Sequence, residues 1–203
     1  RFAHYDYWQD KVRRSILFDA QADLLTYGMG ELASKEIAQR LASGEGPETM
    51  TDIRGTCVCV DTPEACAYEF VEVPSFEEVL ENKTAYAQAN RIEYLEHDPF
   101  VGRAIVQKHG KKYLLTNPPA RPLTTPEMDQ VAELPYVREP HPMYDALGGV
   151  PAIEEVRFSV THNRGCFGAC NFCSLAFHQG RVISCRSHDS VVREVEALTK
   201  HPG

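Results

Sequence analysis

The feature that most constrains this chain is a group of three cysteines within eight residues. Cys166, Cys170 and Cys173 have the spacing C-x3-C-x2-C, and Gly168 and Ala169 between them are small enough for the backbone to turn tightly. Three thiolates on one short segment can surround a single soft metal centre, and iron–sulfur clusters are held by such thiolates. The spacing therefore predicts a metal-binding loop. A cluster of four irons with only three protein thiolates would leave one iron open to another ligand.

Composition and charge narrow the class of protein further. The 203 residues are 43% hydrophobic and 25% charged, which is typical of a globular chain and excludes a wholly disordered one. Seven cysteines, an odd number, without a signal-peptide pattern indicate a reduced compartment, and we expect a cytoplasmic protein. No apolar run approaches the ~18 residues of a membrane-spanning helix, so no membrane partner is expected. The formal charge of −8 argues against nucleic acid as a partner.

The residues on either side of the cysteines predict a strand, a loop and a helix. Residues 156–160 alternate apolar and polar side chains, which is typical of a strand. Ser187 begins a helix whose apolar positions share one face: Val191, Val192, Val195 and Leu198. In α/β barrels the loops at the carboxyl ends of the strands carry the chemistry, and the cysteines would lie in such a loop.

The first part of the chain has the pattern of an α/β unit. Residues 9–19 predict a short helix, 23–27 a strand, and 31–41 an amphipathic helix. Gly28 and Gly30 form the turn between that strand and the second helix. A Gly-x-Gly turn can cradle a phosphate, but the rest of a dinucleotide fingerprint is missing, so a plain turn is the favoured interpretation.

The middle of the chain combines short strands, a helix and a connector. Residues 56–60 and 68–73 predict two strands that pair with each other. A capping box at Ser75 begins a helix that runs to about His97. Residues 117–151 contain eight of the thirteen prolines and predict a semi-rigid connector. Its one helix is predicted over 126–134, with Thr125 as the N-cap and Pro126 in the first turn.

Longer sequence motifs carry a resemblance to a known family. The cysteine segment reads R-G-C-F-G-A-C-N-F-C from Arg164, and H-Q-G-R and R-S follow it. Upstream, the chain has F-A-H-Y-D-Y-W, Y-G-M-G-E, N-P-P, L-P-Y and E-P-H-P, beginning at Phe2, Tyr27, Asn117, Leu134 and Glu139. These motifs resemble the YgiQ-type proteins of the radical S-adenosylmethionine (radical SAM) superfamily, a family without an agreed reaction. The resemblance covers essentially the whole chain.

The resemblance implies a fold and a domain order. We expect an α/β chain in which 1–48 end an N-terminal α/β (Rossmann-like) domain. Residues 49–150 would form a β/helix segment with the Pro-rich connector, and 151–203 the start of a radical SAM partial (β/α) barrel. The chain opens on Arg1 and stops soon after a helix, so we expect an internal segment of a longer protein. The glycine-rich segment that receives the methionine amino group would lie beyond Gly203.

The same resemblance implies the cofactors and their ligands. Cys166, Cys170 and Cys173 would bind a [4Fe-4S] cluster, whose open iron chelates the amino and carboxylate groups of S-adenosylmethionine. An electron from the reduced cluster then cleaves a C–S bond and produces a 5′-deoxyadenosyl radical. Phe172 would contact the adenine of this cofactor; the alternative is a core aromatic under the loop. The implied electron donor is a flavodoxin or ferredoxin, the substrate is not readable, and we expect the isolated segment to have little turnover.

Several residues allow other interpretations of the metal site. Cys185 as a fourth ligand would close the cluster and make the protein an electron carrier. His178 with the three cysteines would suit a structural zinc site. Cys57, Cys59 and Cys66 have no common metal spacing, so buried structural thiols are favoured over a second metal site.

Charged and imidazole side chains flank the cysteines. His162 and His188 are interpreted as loop and helix-start residues rather than ligands. Arg164, Arg181 and Arg186 either hold a carboxylate of the cofactor or substrate, or are solvated loop charges. No Ser/His/Asp grouping or paired carboxylates support hydrolytic chemistry.

Overall fold

A five-stranded mixed sheet organises the N-terminal part of the chain. The computed structural model describes residues 1–200; residues 201–203, at the end of the predicted barrel segment, lie outside the described residues. The strands are β1 (His4–Asp6), β2 (Lys11–Arg13), β3 (Leu24–Thr26), β4 (Thr56–Val60), β5 (Phe70–Val73), β6 (Ala104–His109), β7 (Lys112–Thr116), β8 (Asn163–Arg164) and β9 (Ser184–Cys185). The sheet order is β3-β4-β7-β6-β5.

Eight helices accompany the strands within residues 1–200. They are α1 (Ile16–Ala20), α2 (Glu31–Ala42), α3 (Phe76–Glu81), α4 (Lys83–Leu95), α5 (Thr125–Ala132), α6 (Ile153–Val156), α7 (Leu175–Gln179) and α8 (His188–Leu198). Short 3₁₀ turns lie at Pro47–Thr49, Pro63–Ala65 and Pro142–Leu147. None of the described helices has the length and apolar character needed to cross a lipid bilayer.

Both faces of the central strands are buried. Alternate residues of β4 face opposite sides, so Cys57 packs in one apolar cluster while Val58 and Val60 pack in another. Leu114 and Leu115 on β7 are divided in the same way, and both are fully buried. Each such aliphatic side chain contributes roughly 1.5–3 kcal/mol on burial, so these two clusters fix the sheet.

The strand pairing differs from the prediction. Residues 56–60 form β4 as expected, but β4 pairs with β3 and β7, whereas β5 pairs with β6. The reason is the β6–β7 hairpin, which turns at Gly110 (φ +62°) and inserts two strands between β4 and β5. Only β5–β6 is parallel, so this sheet lacks the parallel order that a Rossmann-like domain implies.

Two predicted helices of the first hundred residues are also corrected. The predicted helix over 9–19 is instead β2, paired with β1, followed by α1, because Ser15 accepts a hydrogen bond from Leu17 N and starts the helix there. The capping box at Ser75 is confirmed. Its helix ends at Glu81, because the Asn82 side chain accepts hydrogen bonds from two amides and begins α4.

The described chain forms two compact units. Unit 1 contains residues 1–122 and 168–181, and unit 2 contains 123–167 and the chain from 182 onward. The predicted boundary at residue 48 is not a boundary between these units, because β3 and β4 pair across it. The functional identity of the predicted domains stays a prediction.

Two local predictions are wrong in unit 2. The strand predicted over 156–160 is not formed: α6 occupies Ile153–Val156, and the strand that directly precedes Cys166 is β8. Pro151 just before α6 and the acidic residues in its first turn favour a helix there over the period-2 pattern. The N-cap of α5 is Thr124 rather than Thr125, because Thr124 forms a capping box with Glu127. The predicted helix beginning at Ser187 is confirmed as α8.

Candidate metal-binding loop

The backbone before Cys166 is fixed by a glycine. Gly165 follows β8 with φ +91°, a conformation that L side chains rarely adopt. A Cβ at this position would lie 2.1 Å from the carbonyl oxygen of Val182. Val182 comes two residues before β9, the strand that pairs with β8. The close approach of these two backbones therefore requires glycine and sets where Cys166 begins the loop.

The other two cysteines belong to unit 1. The backbone turns at Ala169 (φ +44°), and Cys173 N donates a hydrogen bond to Cys170 O at 3.0 Å. Cys170 is exposed, and Cys173 is half-buried just before α7. Among residues 1–200, no three His, Cys, Asp or Glu side chains lie close enough together to hold a metal ion.

The donor set nevertheless fits an iron–sulfur cluster. All seven cysteines have free thiols, and Cys166, Cys170 and Cys173 are half-buried or exposed. Cluster iron is held by thiolates, and a thiol that is already free and reachable can be deprotonated by the metal. Three such thiols on one eight-residue segment match that donor chemistry.

The upstream cysteines do not form a second site. Cys57 is fully buried, and its Sγ lies 3.4 Å from the hydroxyl of Thr116. Burial raises the pKa of Cys57, Cys59 and Cys66, which disfavours the thiolate needed to bind metal. Cys66 packs against the apolar cluster on the other sheet face from Cys57 and Cys59. The interpretation as structural thiols agrees with this arrangement.

Two aromatic side chains of the loop point into solvent. Phe172 is 91% exposed and Phe167 is 83% exposed. The alternative interpretation of Phe172 as a core aromatic is therefore wrong. An exposed ring beside Cys173 is available to a ligand.

The three arginines near the cysteines have different environments. Arg186 is 4% exposed and donates to Ser190, to Glu194 and to the Thr161 carbonyl oxygen. It is therefore not a solvated charge, and the carboxylate that it binds is that of Glu194. Arg164 lies in β8 and is half-buried. Arg181 stacks on an aromatic ring, and its Nε and Nη2 are buried without a hydrogen-bond partner.

Of the other candidate ligands, Cys185, His178 and His188 lie in secondary structure, and His162 lies directly before β8. The rings of His162 and His188 are 6.5 Å apart in unit 2. Cys185 lies in β9 opposite Asn163, and His178 lies in the last turn of α7. Ligation by Cys185 or His178 stays a prediction. The Gly28 turn joins β3 to α2, as the plain-turn interpretation expects.

Residues that sequence reasoning missed lie on α4 and just after it. Tyr94 and His97 contact Phe177 of α7, with ring centroids 5.7 and 5.4 Å apart. Burial, with a smaller effect of Arg1, lowers the pKa of His97 to about 4, so its ring is neutral near pH 7. A sequence signal for these residues is weak, because aromatic residues near the end of a helix are common.

Comparisons with known proteins give the chain its relatives. Residues 1–159 match the family model described as Radical SAM N-terminal. The chain is 50% identical over 199 residues to a UPF0313 protein of Clostridium botulinum (strain ATCC 19397 / Type A), covering 98% of the chain and 31% of that relative. It is 50% identical over 202 residues to a UPF0313 protein of Methanocella arvoryzae, covering 100% of the chain and 33% of that relative.

The coverage of these relatives is partial. A UPF0313 protein of Clostridium perfringens (strain ATCC 13124) is 48% identical over 201 residues, which cover 99% of the chain and 30% of that relative. The chain thus spans about a third of the length of the curated relatives it matches. No solved structure matches it.

Proposed function

The chain belongs to the Radical SAM N-terminal family, and we propose that the full protein is an iron–sulfur enzyme of the radical S-adenosylmethionine type. Cys166, Cys170 and Cys173 hold a [4Fe-4S] cluster in this proposal. The observation that carries it is the set of three free, reachable thiols with the spacing C-x3-C-x2-C. When bound, the cluster supplies the electron that cleaves a C–S bond of S-adenosylmethionine.

The chain's own residues contribute placement of the thiols. Gly165 fixes the backbone from which Cys166 extends, and the hydrogen bond from Cys173 N to Cys170 O sets the turn between the other two. In this proposal the loop would hold the cluster through these three thiolates. Three thiolates leave the fourth iron position to the cofactor.

Phe172 has a separate role in the proposal. Its position directly before Cys173 and its 91% exposure support a contact with the adenine of S-adenosylmethionine. The electron donor is a flavodoxin or ferredoxin. The protein supplies binding and orientation, while the radical chemistry belongs to the cofactor.

Electron paramagnetic resonance of the full-length protein tests the cluster assignment. The anaerobically reconstituted, dithionite-reduced protein should give a four-iron signal that changes when S-adenosylmethionine is added. An unchanged signal would indicate a fully ligated electron carrier, and stoichiometric zinc without iron would overturn the proposal.

Cysteine variants of the same protein identify the ligands. Each of Cys166→Ala, Cys170→Ala and Cys173→Ala should abolish the four-iron signal, whereas Cys185→Ala should retain it. Loss of the cluster in Cys185→Ala would instead support closed ligation by four thiolates. Cys57→Ala is a matched control, because its thiol is buried in the sheet and contacts Thr116.

A further inference from the structure

The second half of the cysteine loop packs on helix α4 of the same compact unit. The ring of Phe177 in α7 contacts the ring of Tyr94 edge-on, with centroids 5.7 Å apart and planes at 61°. The guanidinium carbon of Arg181 lies 4.2 Å from the centroid of the same Tyr94 ring. Phe177 also contacts His97, 5.4 Å between centroids. One tyrosine therefore touches both the helix after the cysteines and the residue that closes the segment.

Each of these contacts has the geometry that such a pair of groups favours. Aromatic pairs favour edge-to-face geometry, and a guanidinium is attracted to the face of a tyrosine ring. Arg181 Nε and Nη2 are buried without a hydrogen-bond partner, so the ring of Tyr94 is the contact that offsets their loss of water. Residues 168–181 accordingly group with the N-terminal unit rather than with the residues that flank them in sequence.

The docked helix begins close to the last cysteine in the chain. The amides of Phe177 and His178 both donate to the Ser174 carbonyl oxygen, at 2.9 and 3.2 Å, so α7 begins within two residues of Cys173. The hydrogen bond from Cys173 N to Cys170 O continues this ordered backbone to the second cysteine. Backbone hydrogen bonds thus lie along the whole segment between Phe177 and the two cysteines.

We propose that Tyr94 is a positioning residue for the cysteine loop: by docking Phe177 and Arg181 it sets where Cys170 and Cys173 are held for cluster binding. This inference rests on the proposed function, since the loop must bind a cluster for its position to matter. It assigns to the N-terminal domain a role in assembling the iron site, although that domain contains none of the proposed ligands outside this segment.

Hydrogen exchange of the full-length, cluster-free protein tests the docking directly. Tyr94→Ala should make the amides of residues 168–181 exchange at least tenfold faster. Tyr94→Phe, which keeps the ring, should exchange at the wild-type rate. Leu95→Ala is the matched control, because Leu95 is the next residue of α4 and is 59% exposed. Unchanged exchange in Tyr94→Ala would overturn the proposal. Tyr94 is itself 40% exposed, so the variant leaves little buried cavity.

Reconstitution of the same variants tests the consequence for the cluster. Tyr94→Ala should bind several-fold less iron than wild type, and its reduced cluster should show shifted g-values, while Tyr94→Phe and Leu95→Ala match wild type. Equal iron content and an identical spectrum in Tyr94→Ala would overturn the inference. Absence of iron in the wild-type protein would overturn the proposed function instead, and the exchange result would still decide the docking. If Tyr94→Ala does not fold, Phe177→Leu replaces it in both measurements.

Discussion

Arg186 and Glu194 form a buried ion pair in unit 2. Arg186 Nη1 donates to Glu194 Oε2, and the two side chains are only 2% and 11% exposed. Arg138 donates to the other oxygen of the same carboxylate. The remaining donors of Arg186 go to Ser190 and to the carbonyl oxygen of Thr161. One carboxylate thus accepts hydrogen bonds from two guanidinium groups and joins α8 to the residue after β9.

Removal of this carboxylate should destabilise α8 strongly. Glu194→Gln leaves two guanidinium groups near a neutral amide, and breaking a buried pair in this way costs about 3–5 kcal/mol. Native-state hydrogen exchange of peptides from α8 measures the loss. Glu133→Gln is the control, because its partner Arg193 is exposed and such pairs contribute little. Similar effects in the two variants would contradict the assignment of the buried pair.

The stability of unit 1 should depend on pH through His97. Burial lowers its pKa to about 4, and the residue is 7% exposed. The unfolded histidine has a pKa of about 6.5, so between these values the unfolded state binds a proton that the folded state does not. The His97 contribution to stability is therefore present above pH 6.5 and is lost as pH falls toward 4.

A variant isolates this contribution from that of Glu93. Burial raises the pKa of the Glu93 carboxyl to about 8. The Glu93 contribution to stability therefore increases as pH falls, whereas that of His97 decreases. Urea unfolding of wild type and His97→Gln at pH 7, 5.5 and 4 removes this background by subtraction. Wild type should lose up to about 3 kcal/mol relative to the variant over this range. Parallel pH profiles would contradict the assignment.

Local signals predicted individual elements well and their partners poorly. The β-branched run of β4 and the Ser75 capping box are signals contained in a few consecutive residues. Both elements lie where they were predicted. The partner of β4 could not be read in this way, because it depends on the hairpin that turns at Gly110, fifty residues away. The alternation over 156–160 failed because neighbouring helix signals outweigh a five-residue pattern.

The candidate site shows the same division between local and distant information. Cys166, Cys170 and Cys173 lie within eight consecutive residues, so their spacing alone predicts their common chemistry. Tyr94 contacts the loop from about eighty residues upstream, and its contact with Phe177 depends on how α4 and α7 pack. No single-sequence pattern encodes that packing, because an aromatic on a helix has many possible partners.

Gly165→Ala should disrupt the start of the cysteine loop. The new Cβ would lie 2.1 Å from the Val182 carbonyl oxygen, and the positive φ adds about 1–2 kcal/mol of strain. We expect faster hydrogen exchange in β8 and β9 and a large loss of bound iron. Gly180→Ala is the control: its φ is +83°, but nothing lies within 4 Å of its added Cβ. Equal losses in both variants would show that strain, not the backbone contact, is responsible.

Alkylation of thiols should distinguish the loop cysteines from the core cysteine. Cys170 is exposed, whereas Cys57 is fully buried and burial raises its pKa. In the cluster-free protein, iodoacetamide should modify Cys57 at least about tenfold more slowly than Cys170, because the thiolate is the reacting form. Peptide mass spectrometry over a time course gives each rate, and comparable rates would contradict the burial of Cys57.

The same alkylation experiment on the reconstituted protein should report the number of cluster ligands. A bound cluster occupies its thiolates, so Cys166, Cys170 and Cys173 should be protected together. Cys185, which is half-buried in β9, should react at its cluster-free rate. Protection of Cys185 in addition to the other three would mean that four thiolates surround the cluster, and the open iron position required by S-adenosylmethionine would not exist.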